Sequence, residues 1–140
     1  MEGKALTNIE ELAEQYDNFV FDCDGVVWSG TSQIGDAFKV IEWLETEKKK
    51  NVYFVTNNAS KTSQELADKM ASMGYKIPKT DRMYATARVA SGFLKHQYPH
   101  VKKVFAIGVK SLRLELEAMG FEVLGADQDI YGKFEILSPE

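Results

Sequence analysis

Apolar and polar positions follow one another along this chain in two alternating rhythms. Phe19-Val20-Phe21 runs straight into two carboxylates and a glycine, and a short apolar run bounded by turn residues predicts a buried strand, here over 19–22. Val52-Tyr53-Phe54-Val55, Val104-Phe105-Ala106-Ile107 and Phe121 to Leu124 repeat that signal. Between these runs the apolar residues recur at helical spacing. Residues 7–16 place Ile9, Leu12, Ala13 and Tyr16 on one face, with Asn8 and Glu11 spaced as a capping box. Asp36 to Lys49 carries Phe38, Ile41 and Leu44, and Lys48-Lys49-Lys50 falls where cations complement the helix dipole. Ser63 to Met73 turns Leu66, Ala67, Met70 and Met73 inward and stops at Gly74. A helix from a Thr86 cap through Lys95 would bury Val89, Ala90, Phe93 and Leu94, and one from Ser111 to Met119 would bury Leu112 and Leu116. Met83-Tyr84-Ala85 reads as a short extended piece. Gly25 to Gln33 reads as loop, with Trp28 either anchoring it or shielding a site from solvent. Asp127 to Glu140 shows no period.

Strands alternating with helices predict βαβ units and a doubly wound, Rossmann-like α/β fold with a parallel sheet. Ligands of such sheets sit beyond the carboxyl ends of the strands. Asp22–Gly25 and Thr56–Lys61 both follow strands directly, so they are expected at the same rim.

Composition narrows the class. A length of 140 residues suits one domain with its own core. The net charge of −4 argues against nucleic acid as the main partner. No stretch is long and apolar enough for a membrane span, and the N-terminal residues lack the apolar core of a signal peptide. The single cysteine, Cys23, excludes an intrachain disulfide and fits a reducing compartment. A cytoplasmic protein is expected. Cys23 reads as a small buried hydrophobe whose neighbouring carboxylates blunt its reactivity. His96 and His100, beside Pro99, read as solvated loop residues.

Candidate chemistry sits in the two polar stretches. Asp22 and Asp24 lie two apart in an extended segment, so their side chains face the same way. Like charges converging on one point call for a cation or a shared proton. Taken alone, the residues fit a strand ending in an acidic turn equally well. The second stretch changes the balance. Thr56, Asn57 and Asn58 supply a hydroxyl, two amides and backbone N–H groups running into a helix N-terminus, which is a cradle for phosphate oxygens. With Mg²⁺ neutralising the phosphate, one aspartate serves as nucleophile and the other as acid and then base.

Phe19-Val20-Phe21-Asp22-Cys23-Asp24-Gly25-Val26-Val27-Trp28 resembles the first motif of the haloacid dehalogenase superfamily, and Phe54-Val55-Thr56-Asn57-Asn58 resembles its second. Asp-Gly-Val-Val-Trp with Val-Thr-Asn-Asn-Ala-Ser-Lys is similar to the 4-nitrophenylphosphatase and phosphoglycolate or pyridoxal phosphatase branch, its fungal members above all. The likeness extends to Gly125. It implies a haloacid-dehalogenase-like core and Mg²⁺-dependent hydrolysis of small phosphomonoesters through an aspartyl phosphate. Asp22 would be nucleophile and metal ligand. Asp24 would be acid/base and give its backbone carbonyl to the metal. Gly25 would let a ligand approach the backbone, Thr56 and Asn57 would hold the phosphoryl group, and Asn58 would stand behind them. Ala59 replaces a frequent serine.

The resemblance also implies parts beyond this sequence: a later lysine, a late acidic pair and a cap domain. Residues 1–125 are therefore expected to be the N-terminal part of the core, with 126–140 a tail or the start of a linker to the cap. An incomplete core leaves an edge of the first strand unpaired, which predicts a homodimer or strand-swapped oligomer. A small phosphorylated metabolite is the expected partner. The alternative is a non-catalytic half-core acting through self-association or a partner. A phosphorylated signalling receiver is disfavoured because Gly108 stands where its aspartate would follow the third strand.

Overall fold

The computed structural model describes residues 8–126. The elements follow in the order α1 (Ile9–Gln15), β1 (Asn18–Asp22), β2 (Trp28–Ser29), β3 (Ser32–Gln33), α2 (Ala37–Thr46), β4 (Asn51–Thr56) and α3 (Ser63–Ser72). After a 3₁₀ turn at Thr80–Arg82 come β5 (Met83–Ala85), α4 (Thr86–Gln97), β6 (Lys103–Ala106), α5 (Lys110–Ala118) and β7 (Glu122–Gly125). The α/β class with parallel strands is as expected. The described chain divides into two compact units, one running to Thr56 and again over Gln64–Tyr84, the other comprising Asn57–Ser63 and the chain from Ala85.

The first unit is built on a sheet in the order β1-β4-β5. β1 and β4 run parallel, with Phe19 beside Val52, Phe21 beside Phe54 and Asp22 beside Val55. Alternation sends Val52, Phe54 and Thr56 to the buried side of β4. On that side Phe54 meets Phe21 and Tyr75, their ring centroids 6.3 and 5.9 Å away, and Tyr75 meets Phe38 of α2 at 5.3 Å. Ile41 and Leu44 of α2 and Leu66, Ala67 and Met70 of α3 are buried, as their spacing predicts. The other side of the strands leaves Val20 65% and Val55 41% exposed. Asn8 caps α1 by accepting the Glu10 N–H at 2.9 Å; the bond back to the cap comes from Asn8 Nδ2 to Glu10 rather than through Glu11. The lysine run lies past the end of α2, where Lys50 pairs with Asp17 at 2.9 Å and Lys48 stacks on Trp43.

Two expectations change here. The stretch from Gly25 to Gln33 contains a miniature antiparallel hairpin, with Trp28 opposite Gln33 and Ser29 opposite Ser32. Two-residue strands are too short to leave a period in the sequence. Trp28 is fully buried, so it anchors this hairpin and is no flap. Among the described residues the strands at 103–106 and 122–125 pair with each other in parallel as a two-stranded sheet. A periodic pattern identifies a strand and does not choose its neighbour.

The second unit packs β6 and β7 against α4 and α5. Its core is Ala106, Leu116, Phe121, Val123 and Ala126, with Leu94, Leu112 and Met119 around it. Helix α4 buries Ala87 and Ser91, while Val89 and Phe93 are about half exposed. The inward face is thus displaced from the one the large side chains suggest. Ser91 satisfies itself by donating to the Ala87 carbonyl at 2.7 Å. Thr86 is the first helical residue, and Ala85 holds the cap position. The tail expected over 126–140 lies outside the described residues from 127 onward.

Candidate active site

Strand β1 delivers its carboxylates to the carboxyl end of the sheet. Asp22 is the last residue of the strand and exposed, and its Oδ1 accepts the Cys23 N–H at 2.8 Å. The chain then coils tightly. The Cys23 carbonyl accepts the N–H groups of Val27 and Trp28 at 2.9 and 3.1 Å, and the Gly25 N–H donates to the Trp28 carbonyl at 2.7 Å. Gly25 has φ +84°, a value that excludes most side chains, and the space where a Cβ would project is open. The glycine therefore serves the turn and leaves room beside it.

This coil sets Asp24 against Trp28. Asp24 Oδ1 accepts the indole N–H at 2.7 Å, and the Lys69 ammonium from α3 lies 3.7 Å from the same oxygen. Cys23, between the two aspartates, is completely buried. Burial, reinforced by Asp22 and Asp24 and opposed by Lys69, pushes its thiol up to about 12.

Because Asp22 pairs with Val55, Thr56 ends β4 one residue further along the same rim. Thr56 is buried. The first unit thus contains Asp22, Asp24, Gly25 and Thr56, with Asp22 and Thr56 at neighbouring strand ends. Asn57 and Asn58 belong to the second unit. There Asn57 is exposed, and Asn58 Oδ1 accepts both the backbone N–H and the hydroxyl of Ser60, at 2.8 and 2.7 Å. That Asx turn shapes the loop.

Sequence reasoning missed what fixes this loop within the second unit. Ser111 Oγ donates to the Ala59 carbonyl, and the Ser63 N–H donates to Glu115 Oε1 at 2.6 Å. Both side chains come from α5, four residues apart on one face, and both residues are buried. Their signal was in the sequence: a serine and a glutamate share the helix stripe with Leu112 and Leu116, where apolar residues belong.

Among the described residues no group of three or more His, Cys, Asp or Glu converges on one point. The donors at the end of β1 are nonetheless of the type Mg²⁺ takes, a cation held by one or two carboxylates with substrate oxygens and water completing its shell. Asp22 and Asp24 are both exposed hard oxygen donors, so the residues present fit that ion.

A parallel α/β sheet with two aspartates at and after the end of its first strand and a threonine ending the adjacent strand puts the candidate chemistry where ligands of such sheets bind. Comparison with known proteins supplies the class. The haloacid dehalogenase-like hydrolase family model matches residues 19–122, and the chain belongs to that family. Phosphoglycolate phosphatase 2 of Arabidopsis thaliana is 36% identical over 124 residues, covering 88% of this chain and 41% of that protein. The 4-nitrophenylphosphatase of Schizosaccharomyces pombe is 30% identical over 118 residues, 83% of this chain and 39% of its own. A solved glycerol phosphate phosphatase from Mycobacterium tuberculosis, in complex with magnesium, superposes with a TM-score of 0.68 at 26% identity, over 80% of this chain and 33% of that one. The 4-nitrophenylphosphatase and phosphoglycolate phosphatase branch is therefore the right neighbourhood. The chain spans about two-fifths of the length of these curated relatives. No helix among the described residues is long and apolar enough to cross a membrane.

Proposed function

We propose that this chain carries the nucleophile and acid/base of a Mg²⁺-dependent phosphatase that hydrolyses small phosphomonoesters through an aspartyl phosphate. The observation that carries the reading is the exposed Asp22 carboxylate at the end of β1, beside Val55 and one residue from Thr56, with Asp24 fixed in the following turn. An Asp22 oxygen attacks phosphorus while protonated Asp24 gives its proton to the leaving oxygen. Asp24, now a carboxylate, takes a proton from water. The water oxygen bonds to phosphorus, the bond to Asp22 breaks and the carboxylate is restored. Thr56 and Asn57 hold the phosphoryl oxygens, Asn58 supports them, and Gly25 leaves the backbone approachable. Mg²⁺, held by the Asp22 carboxylate and the Asp24 backbone carbonyl, neutralises phosphate charge when bound.

The partner is a small phosphorylated metabolite, phosphoglycolate-like by analogy with the relatives' names, and neither nucleic acid nor membrane. The chain works in the cytoplasm, with 1–125 as the N-terminal part of the core. One test is hydrolysis of 4-nitrophenyl phosphate by the chain with Mg²⁺, abolished in Asp22→Asn. Absence of turnover, together with no thermal stabilisation by Mg²⁺ and beryllofluoride, would sink the catalytic reading. A second reading, a non-catalytic half-core acting through self-association, is favoured by one observation. Strand β1 is an edge of its sheet among the described residues, and its Val20 is exposed.

A further inference from the structure

The Asp24 carboxylate is held through one oxygen. Its Oδ1 takes the Trp28 indole N–H at 2.7 Å and faces the Lys69 ammonium at 3.7 Å. Lys69 also lies over the Trp28 ring, its Nζ 4.7 Å from the centroid. Three side chains therefore close a triangle whose edges are a hydrogen bond, an ion pair and a cation–π contact. Trp28 is the fixed corner, because it is fully buried. The Lys69 side chain is 22% exposed and that of Asp24 47%. Among the described residues no donor reaches Asp24 Oδ2.

A free aspartate samples several rotamers and presents its two oxygens interchangeably. Acid/base work needs one oxygen placed within hydrogen-bond reach of the reacting group. The indole alone, a single donor, lets the carboxylate pivot about Oδ1. A cation on the same oxygen, braced against the ring that supplies the first donor, restricts the pivot. Lys69 stands in the last turn of α3, outside both sequence motifs, and nothing in its spacing marks it.

We propose that Lys69 is a positioning residue for Asp24. With Trp28 it clamps Oδ1 and leaves Oδ2 as the oxygen that gives a proton to the leaving group and takes one back from water. The assignment rests on the acid/base role proposed above for Asp24.

The test uses the full chain and two variants. Lys69→Met keeps the side-chain stem over the indole and removes the charge, and Lys69→Arg keeps the charge. The Trp28 indole N–H resonance, distinguished from that of Trp43 by Trp43→Phe, reports the clamp without turnover. The resonance moves upfield in Lys69→Met and returns in Lys69→Arg, and the effect of Lys69→Met shrinks in an Asp24→Asn background. In turnover of 4-nitrophenyl phosphate, Lys69→Met lowers kcat about tenfold, a positioning-sized loss, with KM within about twofold, and Lys69→Arg recovers it. A Trp28 signal unmoved by Lys69→Met overturns the proposal. So does one moved equally with and without the Asp24 carboxylate, which would leave the lysine only a packing role. So does an unchanged kcat in an active chain. If Lys69→Met fails to fold, Lys69→Gln takes its place in the same comparisons. If the unsubstituted chain shows neither turnover nor thermal stabilisation by Mg²⁺ and beryllofluoride, the phosphatase reading falls while the resonance still judges the clamp.

Discussion

Replacement of Glu115 is expected to loosen the loop that carries Asn57 and Asn58. The Glu115 carboxylate and Ser63 are both buried, 6% and 1% exposed, and the bond between them is 2.6 Å long. A hydrogen bond to a charged acceptor contributes about 1.5–3 kcal/mol, and an orphaned buried N–H costs about 1–3 kcal/mol. Among the described residues Ser63 Oγ has no hydrogen-bond partner, so the side chain does not help to hold this residue once the N–H is released. Against this loss stands the desolvation of a buried carboxylate, which its removal relieves. We expect Glu115→Ala to destabilise the chain by about 2 kcal/mol. Glu115→Gln keeps an acceptor in place and should lose about 1 kcal/mol or less. Urea unfolding of the chain and both variants gives the stabilities, and the Ser63 amide resonance reports the bond itself. An Ala variant within about 0.5 kcal/mol of the unsubstituted chain would refute the reasoning. So would a Gln variant weaker than the Ala variant, since an acceptor would then be irrelevant.

Tyr75 donates to Glu45, and burial followed by that carboxylate pushes its phenol well above its ordinary value. The folded chain therefore keeps a proton that the unfolded chain releases above about pH 10. Stability is full below that pH and falls above it by up to about 1.4 kcal/mol per pH unit, and Tyr75→Phe flattens the slope in alkaline denaturation. Cys23, with its thiol buried and pushed up to about 12, should react with a disulfide reagent at least about tenfold more slowly in the native chain than once unfolded; fast native labelling would contradict its burial. Gly125→Ala would place a Cβ 2.2 Å from the Ala106 carbonyl oxygen at φ +84°, and a loss above about 2 kcal/mol with fast amide exchange in β6 and β7 is expected. The position of β1 at the edge of its sheet among the described residues predicts a dimer or strand-swapped species in size-exclusion chromatography, and a clean monomer at high concentration would count against it.

The longer strands and the helices were legible because each leaves a period of two or three to four residues. Phe54, Ile41 and Leu66 are buried where that period puts them, and Phe21 is half-buried. Asp22 and Thr56 were legible as neighbours because parallel strands end together. The inward face of α4 was not. Val89 and Phe93 dominate any hydrophobicity count, yet Ala87 and Ser91 occupy the interior, and size alone does not report which side a neighbour covers. Lys69 was invisible for a different reason. Its contacts with Asp24 and Trp28 bridge forty-odd residues, and sequence spacing speaks only for neighbours within one element.

The anchors from α5 bear on the order of events during folding. Ser111 reaches Ala59, and Glu115 reaches Ser63, each across 52 residues of chain. Closing so long a loop costs entropy that no local contact offsets beforehand. The polar loop should therefore settle late, after α5 has docked, while the β1 turn, whose Cys23, Gly25 and Trp28 bonds are local, can settle early. On a ribosome the aspartates would be in place well before the loop that follows β4. Substitutions at Ser111 or Glu115 should then accelerate unfolding while leaving the folding rate nearly unchanged.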